Sequence, residues 1–464
     1  MNTHTDSIDL QKYKHIYFIG IGGSSMSSLA MILKRRGCSV CGYDRAHTRE
    51  TQMLQNSGIT VYDTTDESHF DGAELIVYTV AFAPDHPEMV LAARRGVPVI
   101  TRAKLLEAIA ADYPNAVGIA GTHGKSTTSG MTAQIFLSEE GADPTVLIGA
   151  ALPAIGAAYR IGSDDNFIFE ACEYKDSFLS FYPRIAVVLN VRLDHTDYFA
   201  SLEQLKRSFA HFMNNAGASG VALVNADAPD AVEAAQDVLP QVRYFSVKDP
   251  TADFFAGNIT YDGGFASFDI YCYGVLLCRA SLSVIGSFNV SNALAAAACA
   301  HLSGISAKAI ARGLSEFRGV ARRFEYLGEL NGARVFTDYA HHPDELKVTL
   351  AAAKTAAGGR LVTLFQPHTF SRLHDLFDEF ASSFGDSSLP LFTDVFSARE
   401  VNTSGVHAGM LADAAGGVYL PTLEESARYL EANVRPGDTV LLIGAGNVNT
   451  VWDIIKNDKN AKRA

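Results

Sequence analysis

Gly121-Thr122-His123-Gly124-Lys125-Ser126-Thr127 joins a glycine-bracketed turn to one ammonium and two hydroxyls. Such a turn aims backbone N–H groups, a helix N-terminus and a cation at a single point, which suits the phosphates of a nucleotide. The hydroxyl of Ser126 stands where a phosphate loop holds Mg2+. A strict phosphate loop has four residues between its glycines and this one has two, so an ordinary strand-to-helix turn remains open as a reading. Downstream come Glu170, Glu173 and the run Asp194-His195-Thr196-Asp197. Carboxylate oxygens near a triphosphate suit Mg2+, while Asp194 or Asp197 capping the next helix is the plainer alternative. Asn289 and Asn292 lie one helical turn apart, where amides can hydrogen-bond the edges of adenine or one of them can cap the helix.

These residues sit at the ends of apolar runs. Val117–Ala120, Asn166–Glu170, Ile185–Asn190 and Gly220–Asn225 read as strands buried on both faces and separated by helices, the pattern of a parallel sheet. Open parallel sheets bind ligands at the carboxyl ends of their strands. Residues 255–285 alternate Tyr, Phe and Gly, and are expected to add antiparallel ribbons to that sheet. Upstream, the strand His15–Ile19 runs into the turn Gly20-Ile-Gly22-Gly23-Ser24-Ser25 and a helix, and a second strand, Ser39–Tyr43, ends at Asp44. This is a dinucleotide-type unit whose third fingerprint glycine is replaced by Ser25. Further strands are expected at Leu75–Thr79 and Val97–Thr101, and Ala103–Ala111 reads as a helical linker. Past Arg322-Arg323 a new α/β pattern begins. Its runs end at Asp338-Tyr339-Ala-His341-His-Pro343, at Gln366-Pro-His368-Thr-Phe-Ser-Arg372, at Asp394, and at Gly444-Ala-Gly-Asn447, where a closing strand is a better reading than another nucleotide turn.

The length implies about three domains, and 48% apolar with 19% charged residues describes a globular chain. A net charge of −13 excludes a general nucleic-acid binder. No apolar stretch reaches the roughly 18 residues of a membrane span, and the polar start MNTHTDSIDLQKYK is no signal peptide. Six sparse cysteines, Cys38 and Cys41 among them, read as buried thiols in a reducing compartment. A cytoplasmic protein without nucleic-acid or membrane partners is expected.

Taken in order, Gly20-Ile-Gly-Gly with Met26-Ser27, Gly121-Thr-His-Gly-Lys-Ser-Thr, Glu170-Ala-Cys-Glu-Tyr, Asp194-His195, Asn289-Val-Ser-Asn292, Arg322-Arg-Phe, Asp338-Tyr-Ala-His-His-Pro and Phe365-Gln-Pro-His resemble the Mur ligase family over essentially the whole chain. The resemblance implies an α/β fold of three domains: an N-terminal Rossmann-like domain (1–108) for the uridine nucleotide, a central ATPase domain of P-loop type with a mixed sheet (109–322), and a C-terminal Rossmann-like domain (323–464) for the amino acid. The motif forms favour the member that ligates L-alanine to UDP-N-acetylmuramate. ATP would phosphorylate the muramyl carboxylate, the amine would attack the acyl phosphate, and the product would feed peptidoglycan synthesis.

Carried over residue by residue, the resemblance gives Lys125 to the β- and γ-phosphates and Ser126 to Mg2+. Glu170 and His195 go to a second metal, with Glu173 as the substitute for Glu170. Gly121 to Thr127 cradle ATP, Asn289 and Asn292 hold adenine, and Arg322, Arg323, Asp338 and Tyr339 reach ATP from the third domain. Gly22, Gly23, Ser24 and Asp44 bind the sugar nucleotide. His341, His368 and Arg372 line the alanine side, His341 as proton acceptor. Ser24-Ser25, Phe288 and Thr369 depart from the family pattern, and the carbamoylated lysine of sibling ligases has no placed equivalent, although Lys206 is in the neighbourhood. A monomer or homodimer is expected. A sibling ligase adding another amino acid or a recycled peptide, a dehydrogenase built on the first turn, and a non-catalytic nucleotide sensor are the rival readings.

Overall fold

The computed structural model describes residues 8–461 other than 80, 164, 196, 197 and 399. Short β-branched and aromatic runs, apolar on both faces, build three sheets. The first holds β1 (His15–Ile19), β2 (Ser39–Tyr43), β3 (Thr60–Tyr62), β4 (Leu75–Tyr78) and β5 (Val99–Thr101), all parallel in the order β3-β2-β1-β4-β5. The order reverses direction between β1 and β4, the crevice where doubly wound sheets take ligands. The three-residue β3, Thr60-Val-Tyr62, is too short to show a period in the sequence. The helix Arg102–Ala111, expected as a linker, instead buries Leu105, Leu106 and Ile109 in the core.

The second sheet comprises β6 (Asn115–Ala120), β7 (Thr145–Leu152), β8 (Ala157–Arg160), β9 (Asn166–Glu170), β10 (Ile185–Val188), β11 (Val221–Asn225), β12 (Gln241–Ser246), β13 (Phe254–Asp262), β14 (Phe265–Cys272) and β15 (Val275–Ile285). Its order is β15-β14-β13-β12-β11-β10-β6-β9-β7-β8, and β6 lies parallel between β9 and β10. The expected ribbon is present. Gly263-Gly264 and Tyr273-Gly274 connect its strands, all four at positive φ, the two-residue hairpin turn that matches strand twist.

The third sheet holds β16 (Glu325–Leu330), β17 (Ala333–Asp338), β18 (Leu361–Phe365), β19 (Leu389–Phe392), β20 (Val418–Tyr419) and β21 (Thr439–Ile443) in the order β16-β17-β21-β18-β19-β20. The last strand is inserted at the centre, parallel to both β17 and β18. By contact density the chain falls into two units, residues 1–257, 270–278 and 292–313 in one and 258–269, 279–291 and 314–464 in the other. No helix among the described residues is long and apolar enough to cross a membrane. All six cysteines are free, but only Cys299 is buried. The other five are half-buried, which corrects the expectation of buried thiols.

One acid in the first sheet's core is sealed from solvent. Glu88, on the helix Pro87–Arg94, is fully buried and accepts the Tyr17 O–H of β1 at 2.9 Å, while Phe70 packs on the Tyr17 ring at 4.2 Å. Burial outweighs that hydrogen bond and pushes the Glu88 carboxyl up to about 7. A raised folded-state pKa stabilises below the unfolded value near 4.5, and that stability is lost as pH climbs through about 7. The change amounts to roughly 3 kcal/mol. Thermal melting at pH 5 and pH 8 checks this: the parent should lose stability over that interval, and Glu88→Gln should flatten the loss. An equal decline in both proteins would remove Glu88 as its cause.

Candidate active site

The turn after β6 is built for close approach. Gly121 (φ +145°) and Gly124 (φ +87°) take conformations that L side chains rarely adopt. A Cβ on Gly121 would come within 2.9 Å of the Leu189 side chain, and one on Gly124 within 2.8 Å of Asn292 Oδ1. The turn is clamped to the segment after β10. The His123 N–H donates to Asn190 Oδ1 (2.9 Å), Asn190 Nδ2 donates to the His123 carbonyl (3.0 Å), and Thr122 Oγ1 both donates to the Arg192 carbonyl and accepts the Arg192 N–H. The helix Lys125–Leu137 that follows has no side-chain N-cap, so its first-turn N–H groups are left for a ligand, and Ser126 is buried at its start. Orphan amides, a lysine at the first helical position and glycines where a Cβ would collide make a cradle that fits a nucleotide's phosphates. Thr127, on the same turn, is half-buried.

Lys125 Nζ lies 2.9–3.0 Å from both oxygens of Glu173, and also donates to the carbonyls of Gly121 (2.6 Å) and Thr122 (3.1 Å). Glu173 is 1% exposed. Burial alone would lower the ammonium's pKa, but Glu173, Cys172 and Glu170 together hold it above the ordinary lysine value. His195 Nε2 stands 4.0 Å from Glu173 Oε1 and 4.0 Å from Asp194 Oδ2, and its ring packs on Tyr174 at 4.6 Å. Asp194 Oδ1 accepts the His195 N–H at 2.7 Å, while Thr196 and Asp197 lie outside the described residues. Glu170, the first-choice metal ligand from sequence, accepts the Gly149 N–H at 2.9 Å. The substitute, Glu173, is the acid that touches Lys125 and faces His195. A carboxylate, an imidazole and a hydroxyl at the mouth of a phosphate cradle form a donor set that fits Mg2+. Lys206 is engaged elsewhere, in ion pairs with Glu203 and with Glu233 at 2.9 Å.

Asn292 lies beside the Gly124 turn, whereas Asn289, already inside the helix Phe288–Leu302, donates through Nδ2 to the Ile285 carbonyl (2.7 Å), a bond to the preceding chain and not the N-cap that was the plainer alternative. At the first sheet, the Gly22 N–H donates to Asp44 Oδ2 (2.8 Å), so the acid ending β2 fastens the glycine turn. Gly23 precedes the helix Ser24–Arg35, and the Ser24 side chain lies outside the described residues. Arg102 Nη1 donates to Ser25 Oγ at 3.0 Å. A cleft of about 490 Å³ opens here, lined by Tyr43, Asp44, Arg45, Ala46, Phe82 and His86. Of these the sequence singled out only Asp44. Phe82 and His86 sit in the loop after β4, and their strand-end position was the available signal.

In the second unit, Asp338 ends β17 and accepts the Phe324 and Ala340 N–H groups, both at 2.8 Å, and burial pushes its carboxyl up. Arg322 donates to the carbonyls of Gly444 and Gly446 (2.8 Å to the latter) and stacks over Tyr339 at 4.8 Å. Arg323 lies over the same ring at 5.2 Å and 3.8 Å from Glu345. Gln366 Oε1 accepts the Asn447 and Val448 N–H groups. The Gly444 turn is thus pinned by side chains that flank the third sheet, Arg322 before β16 and Gln366 after β18. His341 Nδ1 lies 3.0 Å from the Tyr339 carbonyl and 3.3 Å from Glu345, and burial lowers its pKa despite that carboxylate. Its ring is 6.0 Å from His368, which burial, His341 and Arg372 push down to about 4. Arg372 Nη1 is 3.3 Å from His368 Nδ1. His341, His368 and Arg372 therefore do converge. Glu345, whose carboxylate faces His341, was missed because a helical glutamate carries no signature of its own, and Gln366, part of the Phe-Gln-Pro-His motif, was given no role.

Comparison with known proteins extends over the same three parts. Residues 15–114 match the Mur ligase family catalytic domain, 119–300 the Mur ligase middle domain, and 322–446 the Mur ligase glutamate ligase domain. The chain is 40% identical over 458 residues to the UDP-N-acetylmuramate–L-alanine ligase of Acetivibrio thermocellus, covering 97% of each chain. It is 41% identical over 445 residues to that of Caldicellulosiruptor bescii, covering 95% of this chain and 97% of the relative. Its fold matches the crystal structure of the UDP-N-acetylmuramate-alanine ligase of Thermotoga maritima with a TM-score of 0.80 at 24% identity, covering 97% of this chain and 99% of that one. With three family models matched in order along the chain and relatives 40% identical over nearly its full length, the chain belongs to the Mur ligase family.

Proposed function

We propose that this chain ligates L-alanine to the carboxylate of UDP-N-acetylmuramate at the expense of ATP, in the cytoplasm and with Mg2+. The observation that carries the reading is the buried Lys125–Glu173 pair at the phosphate turn, facing His195, in a chain about as long as the alanine-adding relatives it resembles. We divide it functionally into residues 1–108 for the sugar nucleotide, 109–322 for ATP and 323–464 for the amino acid. A dehydrogenase reading has no support in a ligase family.

A carboxylate is a poor electrophile, and phosphorylation gives it a leaving group that an amine can displace. When bound, Mg2+ neutralises charge on the phosphoryl oxygens, and Ser126, His195, Glu173 and Glu170 are the groups that would hold it. Lys125 exchanges the Glu173 carboxylate for phosphate oxygens, and Gly121 to Thr127 orient them with backbone N–H groups. Asn292 serves the adenine. The cleft beside Tyr43, Asp44 and Phe82 takes the uridine end of the sugar nucleotide. Burial lowers the pKa of both His341 and His368, so each stands as a neutral imidazole near pH 7; His341 is the acceptor for a proton from the alanine ammonium and His368 lines the substrate. Arg372 pairs with the alanine carboxylate, which a guanidinium holds bidentately. Arg322, Arg323, Asp338 and Tyr339 support the nucleotide.

Incubation with UDP-N-acetylmuramate, ATP, Mg2+ and single amino acids should release phosphate fastest with L-alanine. Turnover with a dicarboxylic or basic amino acid but none with alanine would transfer the assignment to a sibling ligase. Lys125→Met removes charge-assisted hydrogen bonds worth about 1.5–3 kcal/mol, so calorimetry should find an ATP analogue bound roughly 10- to 100-fold more weakly. Parental affinity in that variant would mean that the turn is not the phosphate site.

A further inference from the structure

The loop after β9 carries two consecutive residues in the left-handed region, Lys175 (φ +53°) and Asp176 (φ +55°). Neither is glycine, and such a pair persists only where the surroundings hold it. The holding groups converge on one carboxylate. Asp176 Oδ2 accepts the Tyr198 O–H at 2.7 Å, Oδ1 accepts the Ser208 O–H, and the Asp176 N–H donates to the Glu173 carbonyl at 2.9 Å. Ser208 belongs to the helix Leu202–Asn214, and Tyr198 to the loop after β10.

That second loop is the one that carries His195. The His195 carbonyl accepts the N–H groups of Tyr198 (2.8 Å) and Phe199 (2.9 Å), and His195 is itself at φ +54°. Its ring lies against Tyr174, two residues before Asp176. Because β9 and β10 flank β6, the two loops rise on either side of the phosphate turn, and the Tyr198–Asp176 bond ties one to the other.

We propose that Asp176 is a positioning residue, which through the Tyr198 hydroxyl locks the His195 loop to the Glu173 loop and so sets the imidazole against the carboxylate. The inference rests on the reading of Glu173 and His195 as metal-holding groups. Asp176, Tyr198 and Ser208 all lie outside the motifs that carry the family resemblance.

Two variants separate positioning from mere stability. Tyr198→Phe deletes one hydroxyl from a ring that is 37% exposed, and Asp176→Gly removes the carboxylate at a φ that glycine adopts freely. With a non-hydrolysable ATP analogue present, Mn2+ binding followed by electron paramagnetic resonance should weaken about 10-fold in each. In the same variants kcat should fall about 10-fold while the KM for the amino acid holds. Melting temperatures should stay close to the parent's, and the double variant should lose no more than either single one, because both cut one link. Parental Mn2+ affinity and kcat in Tyr198→Phe, or losses that add in the double variant, would overturn the proposal alone. A parent protein that binds no Mn2+ would overturn the metal reading and the proposal with it. If Asp176→Gly does not fold, Tyr198→Phe by itself decides.

Discussion

A buried ammonium beside a buried carboxylate is tolerable only when each satisfies the other, because leaving either charge unpaired in the interior costs several kcal/mol. Lys125 and Glu173 meet that condition at the mouth of the phosphate turn, with two backbone carbonyls taking up the remaining donors of the ammonium. Much of the surrounding structure serves the pair. Glycines at positive φ let the chain fold back on it, Asn190 and Thr122 clamp the turn, and His195, with its ring against Tyr174, faces the carboxylate from the neighbouring loop. The pair is also a store of reactive groups. In the proposed reaction a triphosphate replaces the carboxylate as the partner of the lysine, which would leave Glu173 to face a cation.

The pair exists because of strand order. Glu173 and Lys125 are 48 residues apart in the chain and His195 is 22 further on, yet all three follow strands that are neighbours in the sheet, β9, β6 and β10. Parallel strands deliver their carboxyl ends to one edge, so three loops without local contacts become one site. The third sheet repeats the arrangement. Its final strand enters the middle, and the turn behind it, Gly444 to Asn447, is held by Arg322 and Gln366 at the edge where His341 and His368 stand.

The two histidines show what such an edge does to chemistry. Both are deprived of water and both face the Arg372 charge, which together lower the pKa of each ring. Neutral imidazoles beside a guanidinium suit an amino-acid substrate, whose carboxylate needs a cation and whose ammonium needs a base.

What the residue pattern by itself determined was many of the parallel strands, though not Thr145–Leu152 or Gln241–Ser246, the glycine turn with its lysine and hydroxyl, and the strand-end positions of nearly every chemical group, because apolar runs and glycine spacing are local properties of the chain. Short strands such as Thr60–Tyr62 and Val418–Tyr419 escaped, since two or three residues show no period. The tertiary structure alone decided that Glu173 rather than Glu170 pairs with Lys125, that Asn289 bonds its own preceding turn, that Arg102–Ala111 is core, and that Asp176 joins two loops. The reason is the same in each case. Two glutamates three residues apart look alike in sequence, and only the path of the backbone beyond β9 decides that Glu173 reaches Lys125 while Glu170 stays on the Gly149 N–H.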